Sequence, residues 1–252
     1  MTTLTAARTA IRVRGLIKSF GHGRGHTVAL GGLDLDVAEG QFLCLLGRSG
    51  CGKSTLLNVL AQLDEPTAGS VDLGGRKVAM MFQDATLFPW LTAGGNIALA
   101  LRLAGVPRSQ RSARVAELLE LAHLGGLQQK RPHELSGGMR QRVALVRALA
   151  QDASVLLMDE PFGALDAMTR DVLHDELERI WRERRLTVVF VTHNVREAVR
   201  LGDRVLLMAP SPGRVDAELD VDVPRPRRID SPEVGERARR LTDQLQAQGS
   251  MT

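Results

Sequence analysis

The feature that most constrains this chain is the glycine-rich run at positions 47–54, which reads G-R-S-G-C-G-K-S. It fits the pattern G-x-x-x-x-G-K-[ST], whose glycines allow backbone N–H groups to turn inward toward phosphate oxygens. A continuous apolar segment at 41–46 precedes the run and predicts a buried parallel strand, and the segment from about 53 to 63 predicts a helix. Because a strand, a glycine loop and a helix N-terminus meet here, the sequence predicts a phosphate-binding site within an α/β fold.

Strand and helix patterns alternate along the rest of the chain. Strands are expected at 11–17, 33–37, 41–46, 70–73, 77–82, 154–158, 187–191 and 204–208. This alternation predicts a mostly parallel sheet with helices on both faces. The 252 residues, of which 44% are apolar, are sufficient for one large domain with a sizeable core.

The segment from about 84 to 150 differs from its surroundings because helix patterns dominate it. Helices are expected at 96–104 and 109–122, with Ser109 as the N-cap of the second, and a later helix at 167–185 is expected to be capped by Asp166. We therefore expect a single domain over 1–252, which consists of an α/β core with a β subdomain (1–84 and 151–215), a helical subdomain (85–150) and a tail (216–252).

Composition narrows the classes of protein. Aromatic residues make up 3% and tyrosine is absent, which argues weakly against a single-strand nucleic-acid binder that stacks bases on aromatic rings. Cys44 lies in an apolar run and Cys51 inside the glycine run, so we expect no disulfide framework and a reducing compartment. The N-terminal residues lack the apolar core of a signal peptide, and no stretch approaches the ~18 apolar residues of a membrane span. If the protein acts at a membrane, we therefore expect it to do so through a partner protein.

The tail is rich in basic residues, namely Arg225, Arg227, Arg228, Arg237, Arg239 and Arg240. Two interpretations of them stay open. The preferred one is a solvated tail, and the other is a tail that faces anionic lipid or another subunit.

A second group of polar residues ends the apolar strand within positions 155–161, which read V-L-L-M-D-E-P. Asp159 at the strand end can hold Mg²⁺ beside Ser54. Glu160 can orient or deprotonate an attacking water, while Lys53 would reach the β- and γ-phosphates. Together these residues predict hydrolysis of ATP with Mg²⁺.

Positions 135–139 read L-S-G-G-M and open a strongly helical run that continues to about residue 150. Ser136 and the amides of Gly137 and Gly138 would form a second anion site at this helix start. The site has no obvious use within one chain, but it would suit the nucleotide held by a second copy. The sequence therefore predicts a dimer that closes on ATP.

These motifs together resemble the nucleotide-binding subunit of ATP-binding cassette (ABC) transporters over about residues 11–215. The residues that carry the resemblance are Phe20 in K-S-F-G (adenine-stacking aromatic), Gln83 (Q-loop), Ser136, Gly137 and Gly138 (signature motif), positions 163–166, G-A-L-D (D-loop), and His193 (switch histidine). The resemblance implies a P-loop NTPase (RecA-like) fold, with a mostly parallel sheet core, an N-terminal antiparallel β subdomain and an inserted α-helical subdomain.

The resemblance also implies roles for individual residues. Catalytic roles fall to Lys53, Gln83, Glu160 and His193, and metal ligation falls to Ser54, Gln83 and Asp159. Nucleotide contacts are implied for Phe20, Gly47, Arg48, Ser49, Gly50, Cys51, Gly52, Lys53, Ser54, Thr55, Ser136, Gly137, Gly138 and Asp166. Packing within the edge sheet stays open as the alternative for Phe20.

Positions 83–90, Q-D-A-T-L-F-P-W, and 223–227, V-P-R-P-R, are similar to one importer branch that serves nitrate, taurine, aliphatic sulfonates and related small anions. This similarity implies an ATPase that energises such an importer from the cytoplasmic face of the inner membrane. Its partners would be a second copy, two transmembrane permease subunits and, indirectly, an extracytoplasmic solute-binding protein; no nucleic acid is expected. Phe88 and Trp90 either join the groove that receives the permease or pack within the helical segment.

The alternative function is a non-transport ABC ATPase that acts on DNA or ribosomes. Such proteins normally carry a long coiled coil, zinc modules or a second cassette, and the sequence has neither heptads nor Cys pairs.

Overall fold

The computed structural model describes residues 8–21, 25–163 and 165–249. The chain forms two compact units. The first contains the chain up to Arg76 together with the chain from Arg184 onward, and the second is Lys77–Glu183.

Strands and helices alternate as the sequence predicts. The strands are β1 (Thr9–Phe20), β2 (Thr27–Ala38), β3 (Phe42–Gly47), β4 (Ala68–Asp72), β5 (Val78–Met81), β6 (Val155–Asp159), β7 (Thr187–Thr192), β8 (Arg204–Ala209) and β9 (Arg214–Asp220). The helices are α1 (Lys53–Leu60), α2 (Ala93–Leu103), α3 (Arg108–Leu121), α4 (Gly137–Leu149), α5 (Ala167–Arg184), α6 (Val195–Leu201) and α7 (Pro232–Gly249).

The first unit contains an antiparallel sheet in the order β2-β1-β4. Side chains along β1 alternate between buried and exposed over part of the strand, and Ile11, Val13 and Leu16 are buried. This is the pattern of a sheet with one face on a core and one face toward solvent. The antiparallel β subdomain expected at the N-terminus is therefore present.

The same unit contains parallel strands whose residues are almost all apolar. β3 lies between β7 and β8 and is parallel to both, while β9 pairs antiparallel with β8. Every residue of β3 and of β7 is buried. Burial on both faces explains why these strands have continuous rather than alternating apolar sequence.

The second unit combines the parallel pair β5 and β6 with helices α2 to α5. α2 begins at a Thr92 cap, whose hydroxyl accepts from Gly95 N at 3.0 Å. Asn96 on the same helix is fully buried and accepts from Phe88 N at 2.8 Å. A buried amide needs such partners, and here they fix the loop that leads into α2. The α/β fold class predicted from the sequence is confirmed.

Several sequence-based expectations differ from the structure. α1 ends at Leu60 rather than near residue 63. Ser109 is not an N-cap, because α3 already begins at Arg108, directly after the extended Pro107. Pro107 fixes its own φ and provides the chain break that the serine was expected to provide. The sequence analysis also did not predict β9, α6 or α7 as elements.

The basic tail is not simply solvated, which corrects the preferred interpretation. Arg227 is 5% exposed and donates to four backbone carbonyls, and the Arg225 side chain is 10% exposed and pairs with Asp203. α7 buries Val234, Ala238 and Leu241 on one face, at helical spacing. The tail is therefore an integral part of the first unit. No helix in the described ranges is long and apolar enough to cross a bilayer.

Candidate functional site

The glycine-rich run forms the turn between β3 and α1. The Lys53 side chain is 6% exposed, and its ammonium donates to Gly47 O at 2.7 Å and to Arg48 O at 3.0 Å. Ser54 and Arg48 are exposed, whereas Cys51 is buried. The loop therefore closes around its own lysine, and its backbone is built as a compact cradle at a helix N-terminus.

Glycine is required at two positions of this cradle. Gly52 has φ +91°, and a Cβ there would lie 2.8 Å from Leu30 Cδ2 and 2.9 Å from Ala29 O. A Cβ on Gly47 would lie 2.7 Å from Met208 O. Gly52 combines a left-handed backbone with a close approach, and Gly47 at the end of β3 shows the close approach alone; a side chain is excluded at both.

His193 lies next to this cradle in the first unit. β3 and β7 are parallel neighbours, and Leu46 pairs with Thr192 at their carboxyl ends. The chain therefore leaves β3 into the glycine loop at Gly47 and leaves β7 into the exposed His193 at adjacent points of one sheet edge. Carboxyl ends of neighbouring parallel strands are the usual location of ligand sites in α/β sheets.

Phe20 ends β1 and its ring is 45% exposed. The Lys18 ammonium lies 4.9 Å from the ring centroid and also donates to Glu65 O at 2.8 Å. An aromatic ring that is exposed in part offers a surface on which a base can stack.

The second unit uses the same arrangement for a different set of residues. β5 and β6 are parallel neighbours, with Met81 paired to Met158 near their carboxyl ends. Gln83 follows the first strand, and Asp159 and Glu160 end and follow the second. Three of the predicted catalytic or metal-binding side chains are thus brought to one strand edge.

Glu160 has an unusual backbone conformation. Its φ is +43°, in the left-handed region that non-glycine residues rarely occupy. Such strain is concentrated at functional sites, where the surrounding structure holds a side chain in a required direction. The carboxylate is half-buried at this turn.

The L-S-G-G-M motif forms the start of α4 in the second unit. Ser136 is the N-cap, and its hydroxyl accepts from Met139 N at 3.2 Å. Ser136 and Gly137 are exposed, whereas Gly138 is buried. The start of this 13-residue helix is therefore open to solvent at positions 136 and 137, and the cap bonds the amide of Met139. A Cβ on Gly138 would lie 2.5 Å from Thr169 Cγ2, which shows how closely α4 begins against α5.

Asp166 caps the neighbouring helix α5. Its Oδ1 accepts from Thr169 N at 3.0 Å, as the sequence predicts. The backbone hydrogen bond from Thr169 lowers the pKa of the Asp166 carboxyl below its ordinary value. Of the D-loop motif at 163–166, Ala164 lies outside the described residues.

Two residues that the sequence analysis did not single out hold the Gln83 loop. Gln141 on α4 is 6% exposed and donates from Nε2 to Gln83 O at 2.9 Å. Arg147, two turns further along α4, donates to Thr86 O at 2.8 Å and to Ala85 O at 3.1 Å. The loop after β5 is therefore fixed to the helix that begins with the L-S-G-G motif. Their spacing from Gln83 of more than fifty residues left no local signal.

The loop continues into two neighbouring aromatic side chains. Phe88 is 37% exposed and Trp90 is 68% exposed, with ring centroids 5.4 Å apart. The guanidinium of Arg147 lies 5.9 Å from the Phe88 ring. Both rings therefore remain largely on the surface of the second unit rather than in its core.

The site offers oxygen ligands rather than a thiolate or imidazole cluster. Across the described ranges, no three His, Cys, Asp or Glu side chains converge as a metal cage. Burial raises the pKa of the Cys44 thiol well above its ordinary value, which removes it as a metal ligand or nucleophile. A hydroxyl, one or two carboxylates and phosphate oxygens are the ligand set that Mg²⁺ prefers in nucleotide sites. The Ser54 hydroxyl in the first unit and the Asp159 carboxylate in the second are each of this chemical type.

Comparison with known proteins finds relatives in the family that the sequence motifs resemble. A family model described as ABC transporter matches residues 30–163. The chain is 42% identical over 247 residues to the aliphatic sulfonates import ATP-binding protein 1 of Agrobacterium fabrum, which covers 97% of this chain and 87% of that protein. It is 46% identical over 229 residues to a bicarbonate transport ATP-binding protein of Synechococcus elongatus, covering 86% of this chain. This chain spans 34% of the length of that bicarbonate protein.

The fold is also similar to a solved structure. A dimeric, post-hydrolysis ATP-binding cassette bound to ADP and phosphate superposes with a TM-score of 0.76 and 32% identity. The match covers 84% of this chain and 99% of that cassette.

Proposed function

The chain belongs to the ABC transporter family and is an ATPase, and from this premise we propose that it energises an importer of small anionic solutes. The importer part of the proposal is supported by the relatives named for import, and the ATPase part is supported by the pair of strand edges. One places the glycine loop beside His193, and the other places Gln83 beside Asp159 and Glu160. Together these residues could bind phosphate, hold a metal ion and orient the attacking water, which are the tasks of ATP hydrolysis.

In the proposed mechanism, the cradle amides and Lys53 bind the β- and γ-phosphates, and Phe20 stacks on the base. Ser54, Asp159 and Gln83 would hold Mg²⁺, which neutralises phosphate charge when bound. Glu160 accepts a proton from the water that attacks the γ-phosphorus, and the bond to the β-phosphate oxygen breaks. His193 donates a hydrogen bond to the γ-phosphate and so distinguishes ATP from ADP.

We propose that two copies enclose each ATP. Ser136 and Gly137 are exposed at the start of α4, a helix of 13 residues, so its N-terminus would form an anion site for the γ-phosphate held by a second chain. ADP lacks that phosphate, and this differential contact lets ATP close the dimer and hydrolysis reopen it. The dimeric state of the similar cassette supports this proposal.

The dimer proposal is tested with Glu160→Gln, which should bind ATP without hydrolysing it. With ATP and Mg²⁺ its mass on size-exclusion chromatography should rise from that of one 27.4 kDa chain to that of two. Adding Lys53→Ala to the same variant serves as the control and should abolish the shift. Hydrolysis at the wild-type rate by Glu160→Gln would refute the role given to this carboxylate.

We further propose that two membrane permeases bind the ATPase dimer on the cytoplasmic face of the inner membrane, and that an extracytoplasmic binding protein delivers the solute. The exposed pair Phe88 and Trp90 supports a permease-binding surface, because exposed aromatic rings favour protein contacts. They directly follow the loop that contains Gln83, so contact there can be transmitted to the nucleotide.

The proposed cargo is a small anion of the aliphatic sulfonate, taurine or nitrate type. Bicarbonate and aliphatic sulfonates, for which two relatives are named, are both small anions, and this supports an anionic cargo. The names of these relatives also favour transport over a role on DNA or ribosomes. A strain that lacks this chain should lose growth on one of these anions as sole sulphur or nitrogen source. Wild-type chain should restore growth and Lys53→Ala should not; unimpaired growth on all of them would refute this choice of cargo.

A further inference from the structure

Helix α6 (Val195–Leu201), called the switch helix below, begins two residues after the proposed switch histidine, His193. Its first turn fixes the backbone on either side of that histidine. The Asn194 side chain caps α6 by accepting from Arg196 N at 3.0 Å and Glu197 N at 3.3 Å. The Thr192 hydroxyl donates to the Glu197 carboxylate and accepts from Asn194 N at 3.0 Å. Thr192 and Glu197 are both buried. The residues on either side of His193 are therefore held by the first turn of α6.

The other end of α6 is held by arginines of the tail. Arg227 donates from Nη1 to Val199 O at 2.9 Å and to Gly202 O, which are carbonyls of the last turn and the C-cap of the helix. Arg225 donates from Nη2 to Leu201 O and to Asp203 Oδ1, the latter at 2.8 Å. Carbonyls at a helix C-terminus lack intrahelical partners, and cations there interact favourably with the helix dipole.

The guanidinium of Arg227 also connects α6 to the tail itself. Nε donates to Val223 O at 2.7 Å and Nη2 donates to Val221 O at 2.9 Å. One buried side chain thus joins two carbonyls of α6 to two carbonyls of the segment that follows β9. Its planar fork of donors suits this task, which a point charge such as lysine performs less completely.

α6 depends on such external contacts because it has only seven residues. A helix of this length is unstable alone in water and takes its stability from tertiary packing. α7 supplies further packing through its buried face, and it lines a cavity of about 510 Å³ together with residues 193–196. The tail therefore contacts the switch helix at its end and along its side.

We propose that the C-terminal tail positions the switch histidine, and that Arg227 is the positioning residue through which it does so. The chain of contacts runs from Arg227 to the end of α6, and from the start of α6 to the backbone around His193. This inference rests on the proposed role of His193 in ATP hydrolysis. It gives the V-P-R-P-R run a function in the ATPase itself rather than in solubility or lipid binding.

The test compares Arg227→Met with Arg228→Met. Arg228 is the adjacent arginine, with a side chain that is 82% exposed and pairs with Asp230. Arg227→Met should lower kcat for ATP by about tenfold while KM changes by less than about threefold, because the phosphate cradle is untouched. Arg227→Lys should restore part of kcat, and Arg228→Met should leave both constants within about twofold of wild type.

A double-mutant cycle separates positioning from general destabilisation. Arg227→Met added to His193→Ala should lower kcat little further, because both changes remove the same contact. An independent, multiplicative loss would overturn the proposal. If His193→Ala alone leaves kcat unchanged, the assigned role of His193 fails; if it lowers kcat and a folded Arg227→Met does not, the tail proposal alone fails.

A milder variant keeps the proposal testable if Arg227→Met does not fold. Arg225→Met removes one contact to the end of α6 and should speed hydrogen exchange of amides 195–202 and lower kcat, with exchange in β3 and α1 unchanged. Normal exchange in α6 together with normal kcat would overturn the proposal.

Discussion

The two strand edges place their functional residues in the same way but hold them differently. At the edge of β3 and β7, the glycine loop is fixed by its own glycines and by Lys53, which bonds to carbonyls five and six residues away. At the edge of β5 and β6, the Gln83 loop is fixed by Gln141 and Arg147, which lie 58 and 62 residues from the carbonyls they bind. The bonds that close the glycine loop are therefore local in sequence, whereas those that hold the Gln83 loop come from a distant helix.

This difference predicts how each edge responds to substitution. A locally determined loop fails when one of its own residues changes, whereas a loop held from a distance fails when a remote side chain is removed. We expect the effects of three substitutions to decrease in the order Lys53→Ala, Arg147→Ala and Asp166→Ala.

Lys53→Ala should have the largest effect, because it removes both the phosphate contact and the bonds that close the loop. We expect ATP turnover to fall by at least about 100-fold, the scale of losing one charge-stabilising donor in an active site. The rate of phosphate release measures this turnover. Lys130→Ala is the matched control, since Lys130 is an exposed partner of Glu134. Near-normal turnover of Lys53→Ala would contradict its assigned role.

Arg147→Ala should have an intermediate effect on the other edge. It removes three hydrogen bonds to the Gln83 loop and a contact with the Phe88 ring. We therefore expect a loss of about 1–2 kcal/mol in the free energy of unfolding and a fall in kcat of about tenfold. Chemical denaturation and ATPase assays measure the two.

The control is Arg114→Ala, whose exposed pair with Glu117 should be worth less than about 1 kcal/mol. If Arg147→Ala matches this control in both assays, the Gln83 loop does not depend on α4, and the contrast between the two edges is lost.

The smallest effect concerns the Asp166 cap and pH. The backbone bond from Thr169 lowers the pKa of Asp166 in the folded protein. Its contribution to stability is therefore fully present above the ordinary carboxyl pKa of about 4 and is lost as pH falls through the lower folded value. We expect the melting temperature of Asp166→Ala to lie below that of wild type at neutral pH, and the gap to narrow in acid. A gap that is independent of pH would show that the carboxylate charge contributes nothing.

The candidate site residues give a clearer signal in the sequence than the residues that hold their loops in place. The sequence predicts roles for Lys53, Asp159 and Glu160 because each belongs to a contiguous pattern of a strand followed by polar residues. The sequence does not predict the contacts of Gln141, Arg147 and Arg227. An arginine or glutamine on a polar segment carries no sign of the distant carbonyl that it will bind. The tail arginines were interpreted as solvated for the same reason, and burial of Arg227 corrected it.

Local sequence was enough to predict most of the strands, the glycine loop and the family, because these depend on local conformation and on apolar runs that must be buried. Tertiary structure alone decided that β3 lies between β7 and β8, that α4 holds the Gln83 loop and that the tail holds α6. Parallel strands pair through the same backbone groups whatever their sequence, and a buried arginine can satisfy any carbonyl within reach. Which partner each finds is therefore set by the packing of the whole unit.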